Sequence, residues 1–215
     1  MKKLILNPNV SVGPFVFGTK REDMWAIMKK EFGSERDLPV FETEDYENPH
    51  VQLEYIDEKL ISVTFIDDIR KRYCEIYLGN EKIWPRTEKK FLSIFGRDSF
   101  VETFGAFYHT ELSLLIDCDH NPPSLTIGCD GYCNEIVENF RLFYTASKMK
   151  KGMSRDECRM LINRQPLISD DGRTDCYPYG KLRPEVTSLT YDSNNKLIKA
   201  TQSYPEGKVL NITLN

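Results

Sequence analysis

Two stretches of this chain share one order of residues, and this repetition restricts the possible folds more than any other feature of the sequence. Residues 16–28 are VFGTKREDMWAIM and residues 150–162 are KKGMSRDECRMLI. Each contains a glycine, two further residues, an arginine, two acidic residues and then an apolar run. A structural unit that recurs along a chain produces such a match, so we predict a fold built from repeated units.

Both stretches carry the signals of a helix start. Thr19 is the predicted N-cap of the first helix, and Gly33 follows its last apolar position. In the second stretch Ser154 is the predicted N-cap, and Glu157 occupies the capping-box position. The apolar residues that follow recur at helical spacing, which predicts one buried face for each helix.

A β-hairpin is predicted after each helix. Residues 51–65 alternate apolar and polar side chains on both sides of a polar turn, as a hairpin with one buried face does. Residues 189–198 repeat this pattern around Asn194–Asn195. The helix-opening glycine precedes the first leucine of the hairpin by 35 residues in the first copy and by 37 in the second. The shared order and spacing support the repeat.

The middle of the chain predicts a looser third copy and one more helix. Pro85 is placed where a helix starts, Gly96 closes that helix, and two strands flank the turn at residues 121–123. Residues 134–146 predict another helix with Asn134 as its cap. The predicted fold class is α+β, with helices packed on one face of antiparallel sheets.

The domain prediction follows from the order of these elements. Residues 1–131 form an acidic part with two helix–hairpin units, at roughly 10–79 and 80–131. Residues 132–215 form a C-terminal unit that repeats the first. No linker-like or low-complexity segment separates the two parts.

The charge of the chain excludes two kinds of partner. Residues 1–130 contain 16 Lys/Arg against 23 Asp/Glu, and residues 131–215 contain 13 against 10. Nucleic acids and anionic membrane surfaces attract proteins with a basic surface, so neither is an expected partner.

The N-terminal segment and the cysteines predict the compartment. The apolar run in MKKLILNPNV stops at Asn7-Pro8, before the length of a signal peptide core, and no longer apolar run follows. We therefore predict a soluble cytoplasmic protein. In that compartment reduced thiols are expected for the six cysteines Cys74, Cys118, Cys129, Cys133, Cys158 and Cys176.

The second helix start resembles a known module. GMSRDEC, residues 152–158, resembles the opening of a small α/β module found in the β-lactamase inhibitor protein and in the BamE-like lipoprotein of the outer-membrane assembly machine. VGPFVFGT, residues 12–19, is similar to the opening of a group of bacterial proteins of unknown function. Cys158 departs from the module, which has an aliphatic residue there. The resemblance implies a binding scaffold of helices and an antiparallel sheet, and it assigns no functional residue.

The densest group of metal-ligating residue types is Cys118, His120, Cys129 and Cys133. Four such side chains bind zinc when they converge. A turn at residues 121–123 places His120 at the tip of a hairpin, several residues along the strand from Cys129. We therefore predict free thiols, and a metal-binding protein or an enzyme that uses these four residues remains the alternative.

The sequence contains no motif of a nucleophilic serine, a phosphate loop, a dinucleotide site or a zinc protease. SDDGRTD, residues 169–175, lacks the alternating acids and the distal glutamate of a calcium loop. We therefore predict a non-catalytic protein without a cofactor. A domain that senses a small ligand is neither supported nor excluded.

The strongest functional signal is an acidic segment. Residues 35–58 contain nine Asp/Glu and one Arg, with aromatic residues between them. Such a segment is most often a solvated loop, but it also attracts basic partners and anchors them. CYPYGKLRP, residues 176–184, adds tyrosines of the kind enriched at interfaces. The predicted partner-binding residues are Glu42, Glu44, Asp45, Tyr46, Glu47, Tyr177 and Tyr179.

These observations together predict a protein that binds another protein, with a basic partner favoured. An immunity or inhibitor protein that neutralises a basic toxin or enzyme is the most specific form of this prediction.

Overall fold

The computed structural model describes residues 2–34, 43–47, 50–67, 74–103, 105–117, 122–182, 185–204 and 207–214. The chain divides into two compact units, Met1–Asn134 and Glu135–Asn215. The boundary predicted after residue 131 lies three residues before this division.

The first unit combines short helices with many strands. In chain order its elements are β1 (Lys2–Asn7), β2 (Ser11–Val12), β3 (Phe15–Val16), α1 (Arg21–Phe32), β4 (Thr43–Glu47), β5 (His50–Ile56), β6 (Lys59–Ile66), β7 (Cys74–Leu78), β8 (Glu81–Trp84), α2 (Glu88–Phe95), β9 (Val101–Thr103), β10 (Ala106–His109), β11 (Leu114–Asp117) and β12 (Ser124–Gly128). The helix α3 (Tyr132–Ser147) begins in this unit and continues into the second.

The strands of the first unit form two sheets. Their orders are β3-β2-β1-β7-β8 and β4-β5-β6-β12-β11-β10-β9. The pair β1–β7 is parallel, and the other strand pairs described in this unit are antiparallel. Because β12 pairs with β6, strands from the predicted units 10–79 and 80–131 belong to one sheet.

One face of the seven-stranded sheet lines the core of the first unit. Successive side chains of a strand point to opposite faces of the sheet, and residues opposite each other on neighbouring strands share a face. Every second residue of each strand therefore points into this core. Met24 and Met28 of α1 belong to the same cluster, in which the buried strand residues include Leu53, Val63, Ile127, Leu114, Val51, Phe65, Leu125 and Ile116.

The second unit combines two helices with one sheet. It contains the latter part of α3 and then α4 (Arg155–Ile162), β13 (Leu167–Ile168), β14 (Thr174–Tyr179), β15 (Glu185–Tyr191), β16 (Leu197–Ser203) and β17 (Val209–Ile212). The strands form one antiparallel sheet in the order β13-β14-β15-β16-β17. Its core consists of Leu142, Ala146, Met149, Cys158, Ile162, Tyr177, Leu189, Tyr191, Leu197, Ala200 and Ile212. Helices and mainly antiparallel sheets make the fold α+β, as the sequence predicts.

The capping prediction is right for α4 and wrong for α1. The Ser154 hydroxyl accepts from the Glu157 N–H, and the Glu157 carboxylate accepts from the Ser154 N–H. The N-cap of α1 is Lys20 instead of Thr19, and its side chain makes no capping bond. The start of α1 is bound to the hairpin turn between β5 and β6, because the Arg21 N–H donates to the Glu58 carbonyl at 2.9 Å.

Two further helices differ from their predicted bounds. Trp84, just before Pro85, still belongs to β8 and pairs with Ile76, so α2 begins later, with Thr87 as its N-cap. The helix α3 begins two residues before the predicted cap Asn134, because the Tyr132 N–H closes a turn onto the Cys129 carbonyl.

Candidate functional site

The predicted partner-binding residues lie in different environments. Glu42 is outside the described residues. Asp45 and Glu47 are exposed, and Tyr179 is half-buried. The remaining three are buried, so the prediction that they lie on a partner surface is wrong: these are Glu44, Tyr46 and Tyr177.

Strand register explains this burial. Glu44 is opposite Leu53 and Tyr46 is opposite Val51, so both project into the core of the first unit. Asp45, between them, projects to the other face of the sheet. The acidic segment has the composition of a solvated loop, but its residues 43–47 form a strand with one buried face.

Glu44 belongs to a polar group, here called the Glu44 cluster, in which Glu44, Tyr46 and Tyr55 are buried and Arg21 and Trp25 are half-buried. The Trp25 indole N–H donates to both oxygens of the Glu44 carboxylate, at 2.8 and 3.0 Å. The Tyr46 hydroxyl donates to Oε2 at 3.0 Å. The Arg21 guanidinium lies 4.5 Å from the centre of the Tyr55 ring, and its Nε is 3.9 Å from Glu44 Oε1. The carboxylate thereby joins α1 to β4.

The second unit contains a comparable group, here called the Asp175 cluster, made of Arg155, Arg159, Asp175, Tyr177 and Tyr191. Arg155 donates to Asp175 Oδ1 through Nε and Nη2, at 3.1 and 2.6 Å. Arg159 donates to Oδ2 and Oδ1, both at 2.8 Å. The Arg155 guanidinium lies 5.0 Å from the centre of the Tyr191 ring. Two arginines of α4 are thus bound to one buried carboxylate of β14.

Protonation in the Asp175 cluster follows from burial and charge. Burial raises the pKa of Asp175, but the hydrogen bonds and charges of Arg159 and Arg155 outweigh it and hold that pKa below the ordinary 3.8. Burial raises the pKa of Tyr177 and of Tyr191 above the ordinary 10.0. At neutral pH the carboxylate is ionised and both hydroxyls keep their protons. A general acid or base works best with a pKa near the working pH. The cluster is therefore better suited to holding α4 against β14 than to transferring protons.

A third buried acid, Glu54, was missed by the sequence analysis. The hydroxyls of Ser62 and Tyr132 each donate to its Oε2 at 2.8 Å. Tyr132 reaches it across Gly128, where a Cβ atom would overlap the Cβ and ring of Tyr132. A glycine inside a buried strand often marks such a close approach, and this is the signal that the sequence contains.

The metal alternative is only partly within the described residues. Cys118 and His120 lie outside them, so the four-residue site stays a prediction. Cys133 is buried and Cys129 is half-buried. Burial raises the pKa of the Cys133 thiol, and the nearby Cys129 raises it further. Among the residues that the structure describes, no three His, Cys, Asp or Glu side chains are arranged to hold a metal ion.

We expect a native thiol-labelling experiment to divide the cysteines by exposure. Cys129 and Cys176 are half-buried and should react first with iodoacetamide. Cys74, Cys133 and Cys158 are buried and should react only after denaturation, and burial raises the pKa of Cys74 to about 11. Mass spectrometry of peptides after a short pulse measures the order. Equal labelling of all five positions would contradict the described environments.

His109 occupies an aromatic site in the first unit. Its ring is 5.6 Å from the ring of Phe95 and 5.2 Å from that of Phe100, both edge-on. Burial lowers the pKa of His109 below the ordinary 6.5, although the charge of Glu111 acts in the opposite direction. The neutral imidazole is therefore the form that this packing favours.

We expect His109 to make the free energy of unfolding depend on pH. The unfolded chain takes up a proton near pH 6.5, whereas the folded chain does so only at lower pH. The contribution of neutral His109 to the free energy of unfolding is therefore fully present above pH 6.5, and it decreases as the pH drops toward the pKa of His109 in the folded chain. Urea unfolding at a series of pH values should show a smaller dependence for His109→Phe than for the wild type. His50→Gln is the matched control, and an equal change in both variants would contradict the assignment.

The exposed part of the predicted site lies on β4, which among the described residues is one of the two edge strands of the seven-stranded sheet. We call Asp45 and Glu47 on this strand the acidic edge. Strand register places Gln52, Thr64 and Thr126 beside Asp45, and His50 beside Glu47. Asp45 therefore presents its negative charge beside polar side chains.

A groove of about 350 Å³ in the first unit contains none of the predicted site residues. It is lined by Asp67, Pro85, Arg86, Thr87, Lys90 and Pro123. Its charges are mixed, and the Arg86 guanidinium is already bound to the Lys82 carbonyl and the Glu81 carboxylate.

Comparison with known proteins identifies no similar protein. No family model, curated protein or solved structure matches this chain. In the part of the chain that the structure describes, no helix has the length and apolar character needed to cross a membrane.

Proposed function

We propose that this chain is a non-catalytic intracellular protein that binds a basic protein partner along the acidic edge. The observation that carries the proposal is the exposure of Asp45 and Glu47 on a strand that lies at the edge of its sheet in the described part of the chain. An edge strand offers backbone groups to a strand of another protein. Its two exposed acids favour a partner strand that carries lysine or arginine.

The surrounding sequence supports a partner with opposite charge. Nine acidic residues occur between positions 35 and 58. A concentrated charge of one sign accelerates the association of an oppositely charged protein. An immunity or inhibitor protein must capture its target quickly, so neutralisation of a basic toxin or enzyme is the most specific function that we propose.

We further propose that the two units contain copies of one motif, a helix followed by three antiparallel strands. Backbone bonds at the start of each helix support this. The Gly18 N–H donates to the Leu60 carbonyl, as the Gly152 N–H does to the Leu197 carbonyl, both at 2.8 Å. In the same way the N–H of the next arginine donates to the hairpin turn, from Arg21 to Glu58 at 2.9 Å and from Arg155 to Asn195 at 3.0 Å.

The side chains of the two clusters also correspond. Glu44 and Asp175 each lie opposite a leucine of the next strand, and each binds the arginine that opens the helix. Tyr55 and Tyr191 lie beneath those arginines. The strand register shifts just before each tyrosine, at residues 54/55 and 190/191. These correspondences link β4 to β14.

The comparison of β4 with β14 bears on binding. In the second unit β13 pairs with β14 on the side away from β15. Among the described residues of the first unit, no strand pairs with β4 on the corresponding side. We propose that a strand of the partner occupies this position, with basic side chains next to Asp45 and Glu47.

Charge-neutralising substitutions test the proposal. The wild type and the Asp45→Asn/Glu47→Gln variant serve as baits in lysate of the source cell, at about 50 and about 300 mM salt, and the association rate of the captured protein is then measured. We expect one basic protein whose association slows about tenfold with either the variant or the higher salt. Dissociation should change less.

The matched control neutralises two exposed acids elsewhere, as Asp130→Asn/Asp156→Asn. This control should bind as the wild type does. Equal binding by the acidic-edge variant, or capture of an acidic partner, would overturn the proposal. Catalytic turnover by the purified chain would overturn its non-catalytic part.

A further inference from the structure

The edge strand β13 of the second unit exposes apolar side chains. Leu167 is 65% exposed and Ile168 is 57% exposed. Met160 and Leu161, near the end of α4, are 72% and 51% exposed. An edge strand with apolar side chains on both faces is a ready site for pairing with another strand.

The backbone of β13 has a defined free side. The Ser169 N–H donates to the Thr174 carbonyl at 2.9 Å, and Leu167 is paired with Cys176. The direction of the backbone N–H and C=O groups alternates along a strand. The backbone groups of Leu167 and Ser169 therefore point toward β14, whereas those of Pro166 and Ile168 point away from the sheet. Proline has no N–H, so the free side offers the Ile168 N–H and the carbonyls of Pro166 and Ile168.

We propose that β13 pairs in antiparallel fashion with β13 of a second copy of this chain, about a twofold axis at Leu167. The segment RQPLISD, residues 164–170, is complementary to itself in this register. Leu167 lies opposite Leu167 of the second copy, and Pro166 lies opposite Ile168. The polar Gln165 lies opposite Ser169, and the cation Arg164 lies opposite the anion Asp170.

The same register satisfies the backbone. The Ile168 N–H of each copy donates to the Pro166 carbonyl of the other, which forms two symmetric hydrogen bonds. The five-stranded sheet β13-β14-β15-β16-β17 of one copy then joins the same sheet of the other copy, which gives one sheet of ten strands. Such isologous pairing is the commonest arrangement of soluble homodimers.

Charge distinguishes this edge from the acidic edge of the first unit. Asp45 and Glu47 would face like charges if β4 paired with itself, which opposes pairing. Beside β13, Asp170 is exposed, and the half-buried Arg164 places its guanidinium 4.5 Å from the centre of the Tyr179 ring. Opposite charges at Arg164 and Asp170, which flank β13 three and two residues beyond its ends, favour a second copy over a partner of uniform charge.

Sedimentation velocity of the full chain, from about 5 to about 500 µM, tests the proposal, because a small interface gives weak association. We expect the average mass to rise with concentration toward that of a dimer. Either Arg164→Asp or Asp170→Arg places two pairs of like charges in the interface, so each should raise the dissociation constant at least about tenfold.

Charge exchange provides the decisive control. The double variant Arg164→Asp/Asp170→Arg restores opposite charges and should dimerise as the wild type does. An equimolar mixture of the two single variants should form a heterodimer for the same reason. Leu167→Asp should weaken the dimer without changing the melting temperature, because that side chain is exposed.

Three outcomes would overturn the proposal. They are a monomeric wild type over the whole concentration range, single variants that dimerise like the wild type, and a double variant as weak as the single ones. The acidic-edge variant Asp45→Asn/Glu47→Gln should dimerise normally, so this test is independent of partner binding.

Discussion

The substitution Asp175→Asn is expected to lower the free energy of unfolding by about 3 kcal/mol, because it leaves two arginines without their shared anion. The Asp175 side chain is fully buried, whereas Arg155 and Arg159 are 15% and 34% exposed. Partial solvation of the arginines keeps the loss at the lower end of what removal of one buried ionic partner costs. Urea unfolding monitored by circular dichroism measures it.

A nearby exposed acid provides the matched control. Asp170→Asn removes the same charge from the surface and should change the free energy of unfolding by less than about 0.5 kcal/mol. Glu44→Gln should cost about 1 kcal/mol, since the amide oxygen still accepts from Trp25 and Tyr46 and the Arg21 pair is long, at 3.9 Å. Equal effects of Asp175→Asn and Asp170→Asn would show that the cluster does not stabilise the fold.

The Asp175 carboxylate should also make the folded chain sensitive to acid. Its pKa in the folded chain lies below the ordinary 3.8, so the unfolded state binds its proton first as the pH falls. The stabilisation is present above pH 3.8 and disappears as the pH drops through the folded pKa. Asp175→Asn should therefore be less sensitive to acid over this range than the wild type.

The second large effect is expected for Gly128→Ala, which should lower the free energy of unfolding by about 3 kcal/mol. The new Cβ atom would overlap Tyr132, and a displaced ring would no longer donate its hydroxyl to the buried Glu54. Overpacking and a lost charge-assisted hydrogen bond act together in this variant.

A double-mutant cycle isolates the steric contact. In a Tyr132→Gly background the same glycine substitution should cost less than about 0.5 kcal/mol, because the overlapping Cβ and ring atoms of residue 132 are both gone and alanine is acceptable in a strand. If Gly128→Ala costs the same in both backgrounds, the contact with Tyr132 is not the cause of the instability.

Local pattern was sufficient for much of the secondary structure. The apolar residues of the hairpin at residues 50–66 are buried as predicted, because alternation of apolar and polar side chains is a local property, but the polar Glu54 and Ser62 are buried as well. The capping box of Ser154 and Glu157 formed as predicted because both residues lie within one turn. Thr19 failed as an N-cap because contacts from Glu58, distant in sequence, decide where α1 begins.

The candidate site was harder to predict because acidic residues have two opposite fates. Glu44 and Asp45 are neighbours in an acidic segment, yet one is buried and the other exposed. A buried carboxylate requires hydrogen bonds and a compensating charge, here from Trp25 and Arg21 of α1. Tyr177, predicted to anchor a partner, is buried for the similar reason that it faces the core of the second unit.

The sequence alone determined the α+β class and the positions of the hairpins and most helices, because these depend on the spacing of side chains within short segments. Only the tertiary structure decided which acids are buried and which strands remain at the edges of sheets. Burial of Asp175 depends on α4, whose arginines lie 16 and 20 residues away. The exposure of Asp45, Glu47, Leu167 and Ile168 likewise depends on which strands pair beside them, and strand order is a property of the whole chain.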